Sequence, residues 1–133
     1  REVMNRLYKA TPDGYCGDED NGQTSAWYVF SAMGFYPVCP ASDQYVIGAP
    51  LFKKMTLNLE NGKTVTINAP LNSADNKYVS ALNYNGKPYS ANWLSHKALL
   101  NGGTLNFNMQ AAPNKNRGTK QTDFPFSLTN TIK

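Results

Sequence analysis

The sequence has little of what ready-made reactive centres need. In 133 residues there is one histidine, His96, and there are two cysteines, Cys16 and Cys39. No Cys/His spacing of a zinc site and no glycine-rich phosphate loop occurs. A cysteine pair permits one disulfide without requiring it. Both cysteines adjoin apolar sequence, so two buried free thiols are expected. No apolar run approaches the ~18 residues of a membrane span. Charge is sparse, at 17% of residues, and the net value is +4. The lysines are scattered rather than clustered, which excludes the basic stripe of a nucleic-acid binder. No leader-like segment precedes Arg1, which itself falls inside a helical pattern. The chain therefore reads as a piece of a longer protein.

What is present describes an ordered domain. Hydrophobic residues make up 41%, enough at this length for a real core. Val3, Met4 and Leu7 share a face at helical spacing, so residues 2–9 are expected to close a helix. Thr11-Pro12-Asp13-Gly14 stops it. A second helix is expected over Gln23 to Met33, ended by Gly34 and barred from continuing by Pro37 and Pro40. Its residues Ala26, Trp27, Tyr28, Val29, Phe30, Ala32 and Met33 leave almost no polar face. A helix apolar all round needs cover on every side, so a partner layer outside this chain is expected.

After Pro40 the period changes to two. Strands are expected at Tyr45–Gly48, Met55–Leu59, Thr64–Ala69, Lys77–Tyr84, Trp93–Leu94 and Thr104–Met109. Asn61-Gly62 predicts a type I′ hairpin, and Asn85-Gly86-Lys87 a second hairpin turn. Ser95 can cap a short helical turn over His96 to Leu100. The pattern predicts a mainly β chain, an antiparallel β-sandwich preceded by two α-helices. The boundary falls near residue 40, giving segments 1–40 and 41–133. From about residue 111 a polar tail is expected to pack loosely, with an extended piece near Phe124–Leu128.

One loop carries the sequence's candidate chemistry. Asp18-Glu19-Asp20 is the only run of acids in the chain. Adjacent carboxylates repel one another unless something uses them. Gly17 and Gly22 frame them, and a helix N-terminus follows. The plain reading is that they cap that helix from a surface loop. They do not form an EF-hand, because Gly22 at the glycine position puts Gly17 at the first ligand position. His96 has no cysteine or carboxylate beside it in sequence, and a surface role is expected. Ser25 lacks the glycine frame of a nucleophile elbow.

The stretch Gly14-Tyr15-Cys16-Gly17-Asp18-Glu19-Asp20-Asn21-Gly22-Gln23, followed by residues Ser25 to Val38, resembles the signature of glycoside hydrolase family 92. Tyr45–Gly48, Asn61-Gly62-Lys63, Trp93–His96, Gly102–Leu105 and Asn114 fit the same family's C-terminal end. That family comprises bacterial, exported exo-α-mannosidases. The absence of Asn-x-Ser/Thr sequons is compatible with a bacterial origin. The resemblance implies that the two helices are the last of an (α/α)6 barrel, whose other helices would cover the apolar one. It implies inverting hydrolysis of terminal α-(1,2)-linked mannose, in the periplasm or outside the cell. It maps Asp20 onto the general base and Asp18 onto its helper, although many members carry Asn at the latter position. It assigns Glu19 no role. It further implies calcium as cofactor, with most of its ligands and the general acid outside this chain. The partners would be a mannose-containing glycan and the remainder of the enzyme, and the fragment alone would be inactive.

Two other readings stay open. A non-catalytic carbohydrate-binding or structural β-module could use Trp93, Tyr84 and Tyr89 as exposed platforms. A structural interaction domain could use the apolar helix as an oligomer surface.

Overall fold

A computed structural model describes residues 1–130; residues 131–133 of the expected tail lie outside the described ones. Helix α1 spans Glu2–Leu7 and helix α2 spans Gln23–Met33. Strands follow at β1 (Phe35–Tyr36), β2 (Gln44–Ile47), β3 (Lys54–Asn58), β4 (Thr64–Asn68), β5 (Tyr78–Tyr84), β6 (Lys87–Pro88) and β7 (Trp93–Ser95). Helix α3 (His96–Leu100) and strand β8 (Gly103–Gln110) complete the regular elements, apart from two short 3₁₀ turns. The mainly β chain with two leading helices is thus as expected.

The strands form two sheets, ordered β1-β2-β7 and β3-β4-β8-β5-β6. Inward residues of both meet in one core. Phe35 and Leu94 come from the smaller sheet; Val65, Ile67, Leu82, Leu105, Phe107 and Met109 come from the larger. Alternation is clean in β4 and β8, where buried Val65, Ile67, Leu105 and Phe107 are separated by polar neighbours. Strand β8 lies at the centre. It pairs antiparallel with β5 but parallel with β4, so the larger sheet is mixed. Nothing in the period-two pattern names a strand's partner, and the chain reaches β8 only after crossing β5, β6, β7 and α3.

The two Asn-Gly turns differ. Asn85 and Gly86 have φ of 50° and 77°, the two positive values of a type I′ turn. At Asn61-Gly62 only Gly62 is positive, at 76°. There the Gly62 N–H donates to the Leu59 carbonyl at 3.0 Å and Leu59 N–H to the Lys63 carbonyl at 2.8 Å. That is the longer loop, a turn followed by a left-handed glycine, rather than the expected type I′.

Helix α2 ends as its sequence demands. Gly34 sits at φ 93° and its N–H reaches the Phe30 and Ser31 carbonyls. A Cβ there would also lie 2.9 Å from the backbone nitrogen of Pro50. The helix packs Ala32 and Met33 into the core, while Phe30 stacks on Tyr45 of β2 at 5.9 Å. Tyr8 half-covers Trp27 and Tyr28, while the face of Ala26 and Val29 stays open within this chain; Val29 is 55% exposed. On α1 only Met4 of the expected apolar face is buried, and Val3 and Leu7 are exposed. Arg1 holds that helix to the β-region by donating to the Ser73 and Pro50 carbonyls and to Asn72 Oδ1.

The tail is not loose. Arg117 donates to Asn92 Oδ1 at 2.7 Å and to the Ala91 carbonyl at 3.0 Å. Asn92 returns a bond to the Gly118 carbonyl. Buried Asp123 accepts from the Ser90 hydroxyl at 2.6 Å, and its carbonyl accepts from the Asn92 N–H. Burial pushes the Arg117 guanidinium below its ordinary value, with nearby Asp123 opposing. A composition rich in Asn, Lys and Pro concealed these specific anchors. The thiols also depart from expectation. Both are free, but Cys16 is exposed and Cys39 only partly covered, because each sits in a loop outside the core.

Candidate active-site loop

The acids lie in the loop between α1 and α2, folded back over the first turn of α2. Thr24 Oγ1 donates to the Asp18 carbonyl at 3.0 Å, and Thr24 N–H to the Glu19 carbonyl at 3.3 Å. Gln23 N–H donates to the Asp20 carbonyl at 3.3 Å. These bonds use donors at a helix start that have no partner inside the helix. Asp20, Asn21 and Gly22 are consecutive left-handed residues, at φ 49°, 58° and 93°. Asp and Asn tolerate that region better than other side chains.

The structure divides the three acids. Glu19 is half-buried and works as the remote cap of α2. Ser25 N–H donates to both its carboxylate oxygens at 3.2 Å, and the Ser25 hydroxyl donates to Oε1. With that proton committed, Ser25 Oγ accepts from the Tyr15 hydroxyl at 2.9 Å. Gly22, at the capping position, has no side chain for the task. Asp18 and Asp20 are exposed, and neither carboxylate accepts a hydrogen bond from a described residue. The capping reading therefore holds for Glu19, to which the family resemblance assigned no role. The bare Gly22 was the available signal that another residue must cap.

An aromatic group supports the loop. Tyr8 stacks on Trp27 at 5.7 Å, tilts against Tyr28 at 5.0 Å and meets Tyr15 edge-on at 6.1 Å. Desolvation, and after it the neighbouring Cys16 and Glu19, push the Tyr8 phenol above its ordinary value. A cleft of about 410 Å³ runs beside it, lined by Tyr8, Gly14, Tyr15, Ser25 and Tyr28. A larger concavity of about 690 Å³ lies on the outer face of the five-stranded sheet, among Lys53, Lys54, Asn68, Asn83 and Asn106. It is lined by no carboxylate and does not touch the acidic loop.

The remaining sequence candidates lie apart from this loop. His96 is exposed, with Nδ1 2.8 Å from the Tyr45 hydroxyl. The fold supplies the carboxylate that sequence did not. Asp43 bonds to the Ser95 hydroxyl and, at 3.2 Å, the Lys97 N–H. The Ser95 bond foremost holds the Asp43 carboxyl below its ordinary value. Ser95 in turn caps α3 through Ala98 N–H, as expected. Tyr84 and Tyr89 are half-buried, and their hydroxyls bond to the Ala98, Gly102 and Trp93 carbonyls. They brace the fold rather than present platforms. Among the described residues no cluster of three His, Cys, Asp or Glu could hold a metal ion. Among them, too, no helix is long and apolar enough to cross a membrane.

Comparison with known proteins adds the class. Residues 1–111 match the model of a glycosyl hydrolase catalytic domain, that of family 92. The chain is 55% identical to a family 92 inverting mannosidase from Bacteroides thetaiotaomicron, with a TM-score of 0.88 over 95% of this chain and 17% of that one. A family 92 α-mannosidase from the same organism aligns at 38% identity and TM-score 0.91, over 96% and 17% of the two chains. An uncharacterized secreted glycosidase of Arthroderma benhamiae is 35% identical over 129 residues, 95% of this chain and 16% of its own length. The chain belongs to glycosyl hydrolase family 92. It spans about one sixth of the length of these relatives, and residues 14–38, with the acidic loop, lie inside the matched catalytic domain.

Proposed function

We propose that this chain is the C-terminal part of an exported, inverting exo-α-mannosidase that removes terminal α-(1,2)-linked mannose from glycans. One observation carries the reading: Glu19 takes the capping task, leaving the Asp18 and Asp20 carboxylates exposed and unbonded among the described residues, on a loop that α2 holds by its backbone. In an inverting glycosidase one carboxylate activates water while a carboxylic acid on the other ring face protonates the leaving oxygen. Asp20 is the proposed general base and Asp18 its helper. The general acid would come from the rest of the protein. So would the helical barrel, whose layers would cover the open faces of α2.

Calcium is part of the proposal only as a property of the whole enzyme. The ion takes six to eight oxygen ligands. Among the described residues no three His, Cys, Asp or Glu groups converge, so most of the ligands would come from the rest of the protein. Export to the periplasm or cell exterior is proposed on the same footing, supported by a relative described as secreted.

The test is replacement in the intact enzyme. Asp20→Asn should lower kcat for mannose release from α-1,2-mannobiose by about 10²–10⁴-fold, the usual contribution of general base catalysis. Full activity in that variant would sink the assignment. The isolated 133-residue chain should release no mannose; measurable release would overturn the half-site reading.

A further inference from the structure

We infer that Glu19 is a positioning residue for the acidic pair, acting through Ser25 to fix the backbone on which Asp18 and Asp20 stand. This rests on the reading of those two aspartates as the water-activating groups. Four contacts tie the acidic triplet itself to the first turn of α2, and three of them are made through its backbone carbonyls. The Glu19–Ser25 clamp is the one made by a side chain of the acidic triplet. It is also the one that reaches furthest into the helix, to the third N–H. It bonds the same serine through both N–H and hydroxyl, so translation and rotation of the loop are both resisted. Tyr15 closes the relay from the other side of the loop, onto the same Ser25 Oγ.

The geometry makes such a clamp necessary. Asp20 and Asn21 occupy left-handed backbone, a conformation less favourable than the right-handed one for non-glycine residues. The carboxylates of Asp18 and Asp20 accept no bond from the described residues that would hold them. Gly17 and Gly22 on either side add freedom rather than restraint. Without Glu19, the acidic triplet would keep only its carbonyl contacts at 3.0–3.3 Å, and Tyr15 would bond a Ser25 hydroxyl no longer tied to the triplet. A base displaced by about 1 Å can lose about 10²-fold in rate.

The experiment uses the intact enzyme with α-1,2-mannobiose, measuring kcat, KM and melting temperature. Glu19→Ala should lower kcat by about 10²-fold with KM little changed. Glu19→Gln keeps an acceptor oxygen for Ser25 and should restore most of that loss. Ser25→Ala should lower kcat less than Glu19→Ala, and the double variant should be no worse than Glu19→Ala alone, because both remove one contact. Wild-type kcat in Glu19→Ala, alongside a crippled Asp20→Asn, would overturn the clamp and leave the base assignment standing. Full activity in Asp20→Asn would overturn the assignment beneath it. A Glu19→Gln variant as slow as Glu19→Ala would show that charge, not the clamp, matters, and would overturn the inference. If Glu19→Ala does not fold, Glu19→Gln and Ser25→Ala decide: near-normal kcat in the first with reduced kcat in the second supports the clamp, and any other pattern removes it.

Discussion

In the five-stranded sheet, Ile67 of β4 faces Leu105 of β8 across the parallel ladder, and neither has any exposed surface. In the acidic loop, Asp20 stands on left-handed backbone with its carboxylate exposed and no bonding partner among the described residues. The sheet is held by side chains that meet one another. The acidic triplet is held by its carbonyls and by one clamped glutamate, which leaves its two aspartate side chains exposed. Stability and chemistry are thus assigned to different residues, and substitutions in the two regions should separate the two properties.

The sharpest separation is expected at Asp20. Asp20→Asn should cost about 10²–10⁴-fold in kcat, yet shift unfolding free energy by no more than about 0.5 kcal/mol, as for other exposed positions. Activity assays and urea unfolding on the same preparation would check both. Ile67→Ala should do the reverse, destabilising by about 2–5 kcal/mol while leaving kcat of the folded fraction intact. A large kcat loss in that variant at full folding would break the comparison.

Two positions between these extremes sharpen it. Asp123→Ala strands the Ser90 hydroxyl and frees the tail, for about 1–3 kcal/mol in denaturant unfolding. Gly34→Ala forces a side chain into left-handed backbone against Pro50, for a similar about 1–3 kcal/mol, and loosens the joint between α2 and the sheets.

The smallest effect is one of pH, at Asp43. Its folded carboxyl is held below the ordinary value of 3.8. Such a group stabilises the fold above that ordinary value, and the contribution is lost as pH falls through the lowered one. Asp43→Asn should therefore flatten the acid side of a melting-temperature profile and leave neutral-pH activity unchanged.

The chain's two Asn-Gly turns show how far local sequence reaches. The dipeptide marked both hairpins correctly, but only Asn85-Gly86 adopted the two-residue form. At Asn61-Gly62 the flanking ladder register, set by burial of Met55, Leu57, Val65 and Ile67, required a longer loop. The same limit applies to the site. The acids and the glycines around them were legible, because repulsion among adjacent carboxylates does not depend on the fold. Which acid would cap the helix was not legible, because Glu19 reaches Ser25 only once α2 has formed and the loop has turned back upon it.

The sequence by itself determined the helix limits at Gln23 and Met33, the cap at Ser95, the strands of period two and the family signature around Asp18 and Asp20. Each is a local property, fixed by side-chain spacing or by one residue's backbone freedom. Tertiary structure decided the parallel pairing of β4 with β8, the anchoring of the tail through Arg117 and Asp123, and the exposure of Cys16. It also decided the division of the acidic triplet into one clamp and two free carboxylates. Those features depend on contacts between residues far apart in the chain, and no local pattern encodes which distant group will be the partner.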